Sequence, residues 1–546
     1  MFNSMYLSIL IAVLCLSGCK KTSPSAPADL PEPVTVHPGT IYHIDMEGKD
    51  LYDLFMVVSL QGNVNRETPY LWILKNPIVE YDGPGAMVDR SFWLNTINDR
   101  EKVAFEDPYL LVRDFANRGI RGCVLYDDDL FGDYVSGARH PQPNDNLVAK
   151  LNVTAMLCAH YGAIALTKGQ YETLTSVYGV KLPILDNTTT DKFDSWLGCY
   201  RYAAEVAYPE PAITSIANNS HYCLGMFDFL VKNKMFIINM KGDASLLEQN
   251  FTDEIFDRVP GPSPVYGIWN VTGGAPGEDA FMRYLNSRGK YCIPNFEAFN
   301  ISYTSGLPPY VPEKSETVRG LTFDPSKKYI CFTETDGDNY EFIQQVFPIR
   351  FDTPQRGGFP IAWEIASTLC ELDPVAARWF YTQIGQNSYV NPVTGAGYYK
   401  YPLPEAFNEA YFRVTDEYME KAKYRTIRTM EYHFESGRPL TDIPHVEGVF
   451  CGYGHADPAR PAVDENSKSH ELYNDKPIFI NYSYQDMAQI SAYNGPAPAF
   501  FSVACVYTPP SDIIQTIHSL SSDWIVVSPG ELVDLYKQYT SIQHHE

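Results

Sequence analysis

The sequence predicts an α/β protein in which a carboxyl-terminal (β/α)7–8 barrel-like domain follows three small α/β units. Three observations predict it. At 546 residues the chain exceeds what one hydrophobic core supports, so about three or four domains are expected. From residue 321 onward, short apolar runs alternate with helix-like stretches seven or eight times, the pattern of parallel strands joined by crossover helices. Nearly every one of those runs ends in a polar or aromatic residue, and the carboxyl ends of barrel strands are where functional groups gather.

The elements follow in order. Residues 1–18 read as a lipoprotein signal: Tyr6 to Leu16 is an apolar run, and Leu16-Ser17-Gly18-Cys19 is a cleavage box that makes Cys19 the acylated first residue of the mature chain. The run is too short for a permanent membrane span. The expected location is therefore the cell envelope, lipid-anchored, at the outer membrane of a Gram-negative bacterium. Residues 19–40 are rich in Pro and Ser and read as a tether. Three α/β units occupy 41–106, 107–208 and 209–320. Their clearest signals are helical periodicity over Leu51–Gln61, Leu147–His160 and Gly225–Lys232, with strands at Tyr70–Leu74, Val124–Tyr126, Ile164–Leu166, Met235–Asn239 and VYGIWN (265–270).

Composition bounds the function. A hydrophobic content of 45% marks a folded chain, and a net charge of −24 argues against nucleic acid, since phosphate binding needs basic surface. The 39 Tyr offer flat apolar faces with a polar edge, suited to sugars among other ligands. Beyond Cys15 and Cys19, nine scattered Cys with no C-x-x-C pair read as mostly buried free thiols rather than a zinc site.

In the domain 321–546, YICFT leads to Asp336, Gly337, Asp338 and Asn339; FPIA to Trp363 and Glu364; Ser388–Val390 to Thr394-Gly395-Ala396-Gly397-Tyr398; Thr426–Met430 to Glu431 and His433; Val449–Gly452 to Tyr453, His455 and Asp457; Ile478–Ile480 to Asn481; and Phe500–Val506 to Tyr507. Trp524–Val527 is the last strand. Gly395 and Gly397 permit positive φ and the close approach of a ligand, with Tyr398, Tyr399 and Tyr401 as a stacking wall.

At 394–402 the chain reads TGAGYYKYP and here resembles the GxGYxYP family of putative glycoside hydrolases. The resemblance extends over LQGNVNR (60–66), RGIRGCVLYD (118–127), NLVAKLNVTAMLCAHYGAIAL (146–166), VYGIWN followed by GED (265–279), and TDGDN. The motif departs in one respect: Tyr399 and Lys400 stand between Tyr398 and Tyr401 where the family name implies one residue. The resemblance implies sugar processing and carries over no catalytic residue.

A glycosidase needs two carboxyl groups about the scissile bond. The expected pair is Asp338 with Glu364, with Asp336 as orienter. Asn339, Trp363, Gly395, Gly397, Tyr398, Tyr401, Glu431, His433, His455 and Asn481 are the expected substrate-binding residues. This reading calls for a carbohydrate substrate and the membrane anchor, with no metal and no cofactor. Two alternatives stand beside it. One is a metal-dependent carbohydrate deacetylase using Asp336 or Asp338 with His433 and His455. The other is a glycan-binding lipoprotein without catalysis.

Overall fold

The computed structural model describes residues 30–76, 87–132, 144–209, 213–219, 224–269, 277–295, 297–353, 358–392, 394–454 and 469–543. The signal segment, Cys19, His455 and Asp457 lie outside the described residues, as does the first half of the tether, residues 19–29. It is an α/β protein containing several small parallel sheets.

The first unit has β1 (Ile41–Asp45), β2 (Leu71–Leu74) and β3 (Lys102–Phe105), in the order β2-β1-β3. The second has β4 (Gly122–Tyr126), β5 (Ala163–Thr167) and β6 (Ile184–Asn187), in the order β5-β4-β6. The third has β7 (Ile216–Asn218), β8 (Phe236–Ile238), β9 (Ser263–Gly267) and β10 (Lys290–Pro294), in the order β10-β9-β7-β8. All pairings in these three sheets are parallel, as strands joined through helices require. The predicted helices form, with caps that fix their starts: Asp50 accepts from the Asp53 N–H, and Asn144 from that of Asn146.

The carboxyl-terminal part has β11 (Lys328–Glu334), β12 (Ile361–Glu364), β13 (Ser388–Val390), β14 (Thr426–Thr429), β15 (Gly448–Cys451), β16 (His470–Tyr473), β17 (Lys476–Ile480), β18 (Tyr482–Ser483), β19 (Ala499–Cys505) and β20 (Trp524–Val526). One sheet runs β13-β12-β11-β19-β18, with β20 on β11; a second runs β14-β15-β17-β16. A single parallel bridge, Asn391 to Ile427, joins the end of β13 to β14. On the other side β17 and β18 are separated only by Asn481, β17 pairing with β15 and β18 with β19. The predicted strands form, but β16 is an addition: it pairs antiparallel with β17, in a hairpin whose turn residues Asn474 and Asp475 take positive φ. After β12 the chain forms two short helices, Leu369–Leu372 and Pro374–Thr382, divided because Pro374 cannot donate to the preceding turn.

The units are bonded to one another. Asn300 Oδ1 accepts from the Gln61 side chain at 2.8 Å and from the Ile73 N–H at 2.7 Å. The Trp93 indole donates to the Gln344 carbonyl at 2.7 Å, and the Val88 N–H to that of Gln345 at 2.9 Å. Eight described cysteines are free and buried. Among the described residues no helix is long and apolar enough to cross a membrane.

Candidate active site

Parallel pairing of β11 with β12 and β19, and of β14 with β15, brings strand carboxyl ends together, and Glu364 is where they meet. It is the last residue of β12 and has no exposed surface. Arg428 of β14, itself fully buried, ion-pairs with Oε1 through its Nε. Oε2 accepts from the Asp336 N–H at 3.1 Å and from the Tyr453 hydroxyl at 3.2 Å. The Arg428 guanidinium also donates to the Gly452 carbonyl at 2.8 Å and lies 5.2 Å from the Tyr453 ring centroid. Four strand ends are thus tied to one carboxyl group.

Asp336 and Asp338 sit over this group on the turn after β11, each partly open at the surface. Asp336 takes φ 73°, a left-handed conformation that costs an aspartate energy and clusters at functional sites. Its neighbour Gly337 lies flat against β12: a Cβ there would stand 1.5 Å from the Glu364 carbonyl oxygen. The Tyr507 hydroxyl, from the end of β19, bonds to Asp336.

Crowded carboxyl groups in a desolvated place resist ionisation. Burial pushes Asp336 up to about 6, against the favourable bond from Tyr507 and the pull of Arg428 and Arg350. Burial pushes Glu364 up to about 7, opposed by Arg428 and raised further by Asp336. Asp338 rises well above the ordinary carboxyl range, first through burial, then through the charges of Asp336 and Glu364. Asp338, raised furthest, thereby favours its protonated form, the condition of a general acid.

The other expected residues divide. Tyr398 is 2% exposed, and its titration is raised first by burial, then by Glu278, Asp338 and Glu431, so it neighbours the carboxyl cluster. Glu431 is anchored there by the Tyr401 N–H at 2.9 Å and the Thr429 hydroxyl at 2.7 Å. His433 pairs with Glu435 at 3.5 Å and meets the Tyr401 ring edge-on. Among the described residues no group of three or more His, Cys, Asp or Glu is arranged to hold a metal ion.

Several residues are turned to structural work. Trp363 is fully buried between Phe347 and Phe351: neighbours on a strand face opposite sides, so the ring beside Glu364 points into the core. Asn481 is buried with its amide donating to the Cys451 and Gly452 carbonyls and its oxygen accepting from Ser502, which occupies it in joining β15 to β19. Asn339 caps the helix Tyr340–Gln345 by accepting from the Glu341 N–H. Gly397 makes a close approach, but to protein: a Cβ would stand 2.6 Å from the Cys292 carbonyl oxygen and from the Tyr291 ring. Gly395 has φ 123° and a Cβ would meet Thr415. Tyr399 is 1% exposed and packs on Tyr411, so it is no part of a stacking wall.

Sequence reasoning missed four residues here. Tyr453 and Tyr507 stood at strand ends but were not chosen. Arg428 was legible as a lone charge within the apolar run TIRTM, the sign of a buried partner. Glu278 comes from the third unit, where only the GED signature marked it.

Residues 326–537 match the GxGYxYP putative glycoside hydrolase C-terminal domain, and residues 213–306 the GxGYxYP third domain. No curated protein matches. Among solved structures, the chain resembles a putative hydrolase from Bacteroides thetaiotaomicron at 17% identity and a TM-score of 0.74, covering 93% of this chain and 98% of that one; this shows the fold. A peptidoglycan deacetylase from Bacillus subtilis also aligns, at 11% identity and a TM-score of 0.23 over 41% of this chain and 98% of that one.

Proposed function

We propose that this chain, which carries two domains of the GxGYxYP putative glycoside hydrolase family, hydrolyses a glycosidic bond at the carboxyl ends of the strands from β11 to β19. The observation that carries this reading is the cluster of Asp336, Asp338 and Glu364 on adjoining strand ends, where the Asp336 N–H bonds to Glu364 and burial raises all three carboxyl groups, Asp338 well above the ordinary range. Asp338 is the general acid. It gives its proton to the glycosidic oxygen as the bond to the anomeric carbon breaks, and a water adds to that carbon as it loses a proton to a second carboxylate. Glu364, walled in by Arg428, Tyr453 and the Asp336 N–H, is a positioning residue that holds the Asp336–Asp338 turn and keeps its proton affinity high.

The Asn391–Ile427 bridge and the continuity of β17 with β18 support reading the two carboxyl-terminal sheets as one closed barrel, with the three earlier units framing its mouth. The lipoprotein box at Cys19 supports an envelope-anchored enzyme. The test is to incubate the full chain with a panel of α- and β-linked oligosaccharides and measure new reducing ends. Release from at least one linkage is expected. Binding without release across the panel contradicts the reading.

A further inference from the structure

The geometry points to Glu278, from the third amino-terminal unit, as the second carboxylate of the reaction, so that the active site is a composite of two domains. This rests on the hydrolase reading and adds to it the partner of Asp338. Glu278 is the first residue of the helix Glu278–Ser287 and is partly exposed. A carboxylate is favoured at any helix start by the backbone dipoles, but three contacts go beyond that. The Tyr398 hydroxyl donates to Glu278 Oε1 at 2.6 Å. Tyr398 is itself fixed, since its N–H and carbonyl pair with the Cys292 backbone at 2.6 and 2.7 Å. The next residue, Asp279, ion-pairs with Lys400 at 2.5 Å.

The Gly-rich segment is therefore a strap. It binds the helix that carries Glu278 to the mouth of the carboxyl-terminal domain, and Gly397 is needed because the strap lies directly on β10. The same strap is bonded to the strand that carries Arg428, the Thr394 N–H donating to the Arg428 carbonyl at 2.7 Å, and Arg428 in turn pairs with Glu364. In keeping with that placement, the charge of Glu278 raises the proton affinity of Asp336 and Asp338. Glu364 has no exposed surface and both its oxygens are engaged. Glu278 is partly exposed and accepts a hydrogen bond from Tyr398 that fixes its carboxyl group. It is the group able to take the proton from the attacking water while Asp338 protonates the leaving oxygen.

The test uses Glu278→Gln, Glu278→Asp and Asp338→Asn in the full chain, with two readouts. The first is turnover of whichever glycoside the parent cleaves. Glu278→Gln is expected to lower kcat by ~10²–10⁴-fold with KM little changed, the usual loss for a general base, and Glu278→Asp to lose less. If Asp338→Asn is inactive and Glu278→Gln is not, the inference fails and the hydrolase reading stands. The second readout is the titration of the Asp338 carboxyl, followed by NMR of ¹³C-labelled aspartate. Its neighbours are Asp336, Glu364 and Glu278, and removing the charge of Glu278 is expected to shift it to lower pH. An unchanged titration overturns the shared site whether or not a substrate is found.

Discussion

Asp336 holds the left-handed backbone that lets the turn after β11 present Asp338. A non-glycine residue in that region costs about 1–3 kcal/mol, and asparagine tolerates it better than most. Asp336→Asn is therefore expected to fold. Asp336 is raised from 3.8 to about 6, so its contribution to stability is fully present below the unfolded pKa and is lost as the pH rises through about 6. The variant should lack that loss and be more resistant to denaturant than the parent at pH 8, as urea unfolding at pH 4 and pH 8 would measure. A second consequence concerns Asp338, whose proton is held partly by the Asp336 charge. The alkaline limb of the pH–rate profile should move to lower pH in Asp336→Asn. Gly337 is equally constrained: alanine would put a methyl group 1.5 Å from the Glu364 carbonyl oxygen. Overpacking of this kind costs about 1–3 kcal/mol or more, and a fall in thermal midpoint is expected. At this scale residue type and position together marked Asp336, Asp338 and Glu364 as strand-end carboxyl groups that the structure brings together. The expected pairing of Asp338 with Glu364 gives way, in the proposal above, to a positioning role for Glu364, whose complete burial no local pattern announced. Trp363 was misjudged although strand alternation already set it opposite Glu364.

At the scale of elements, β14 matters through one residue. Arg428 is buried among apolar neighbours and neutralises Glu364. Removing one partner of a buried pair costs about 3–5 kcal/mol, because the other charge is left uncompensated. Arg428→Met should lose stability of that order in denaturant titration, and Arg428→Lys should recover little, since one ammonium cannot serve both Glu364 and the Gly452 carbonyl as the planar fork does. The strands of the carboxyl-terminal part were legible from their apolar runs and polar ends. In the earlier units β1, β3, β6, β7 and β10 escaped notice because three to five residues give too little periodicity to read. The hairpin of β16 also escaped, since His470–Tyr473 carries no apolar alternation and is only partly buried.

At the scale of the molecule, the first and third units are bonded to the carboxyl-terminal domain rather than strung before it. Trp93 and Val88 bond the first unit to the Gln344–Gln345 carbonyls, while Tyr398 and Lys400 bond the strap to the third unit. None of this could be read from the chain. Glu278 and Tyr398 stand 120 positions apart, and local patterns carry no information about such a pair. The anchor is a prediction at the same scale. Cys19→Ala should move the protein from the membrane fraction to the soluble one, because acyl chains contribute about 0.8 kcal/mol per buried CH₂ to membrane binding, and unchanged fractionation would contradict it. The most direct test of the central claim is the rate of glycoside hydrolysis by the parent and by Asp338→Asn, each with and without a chelator. Carboxylate catalysis predicts a ~10²–10⁴-fold fall for Asp338→Asn and no effect of the chelator on the parent. An active Asp338→Asn, or a parent silenced by chelation, would contradict it.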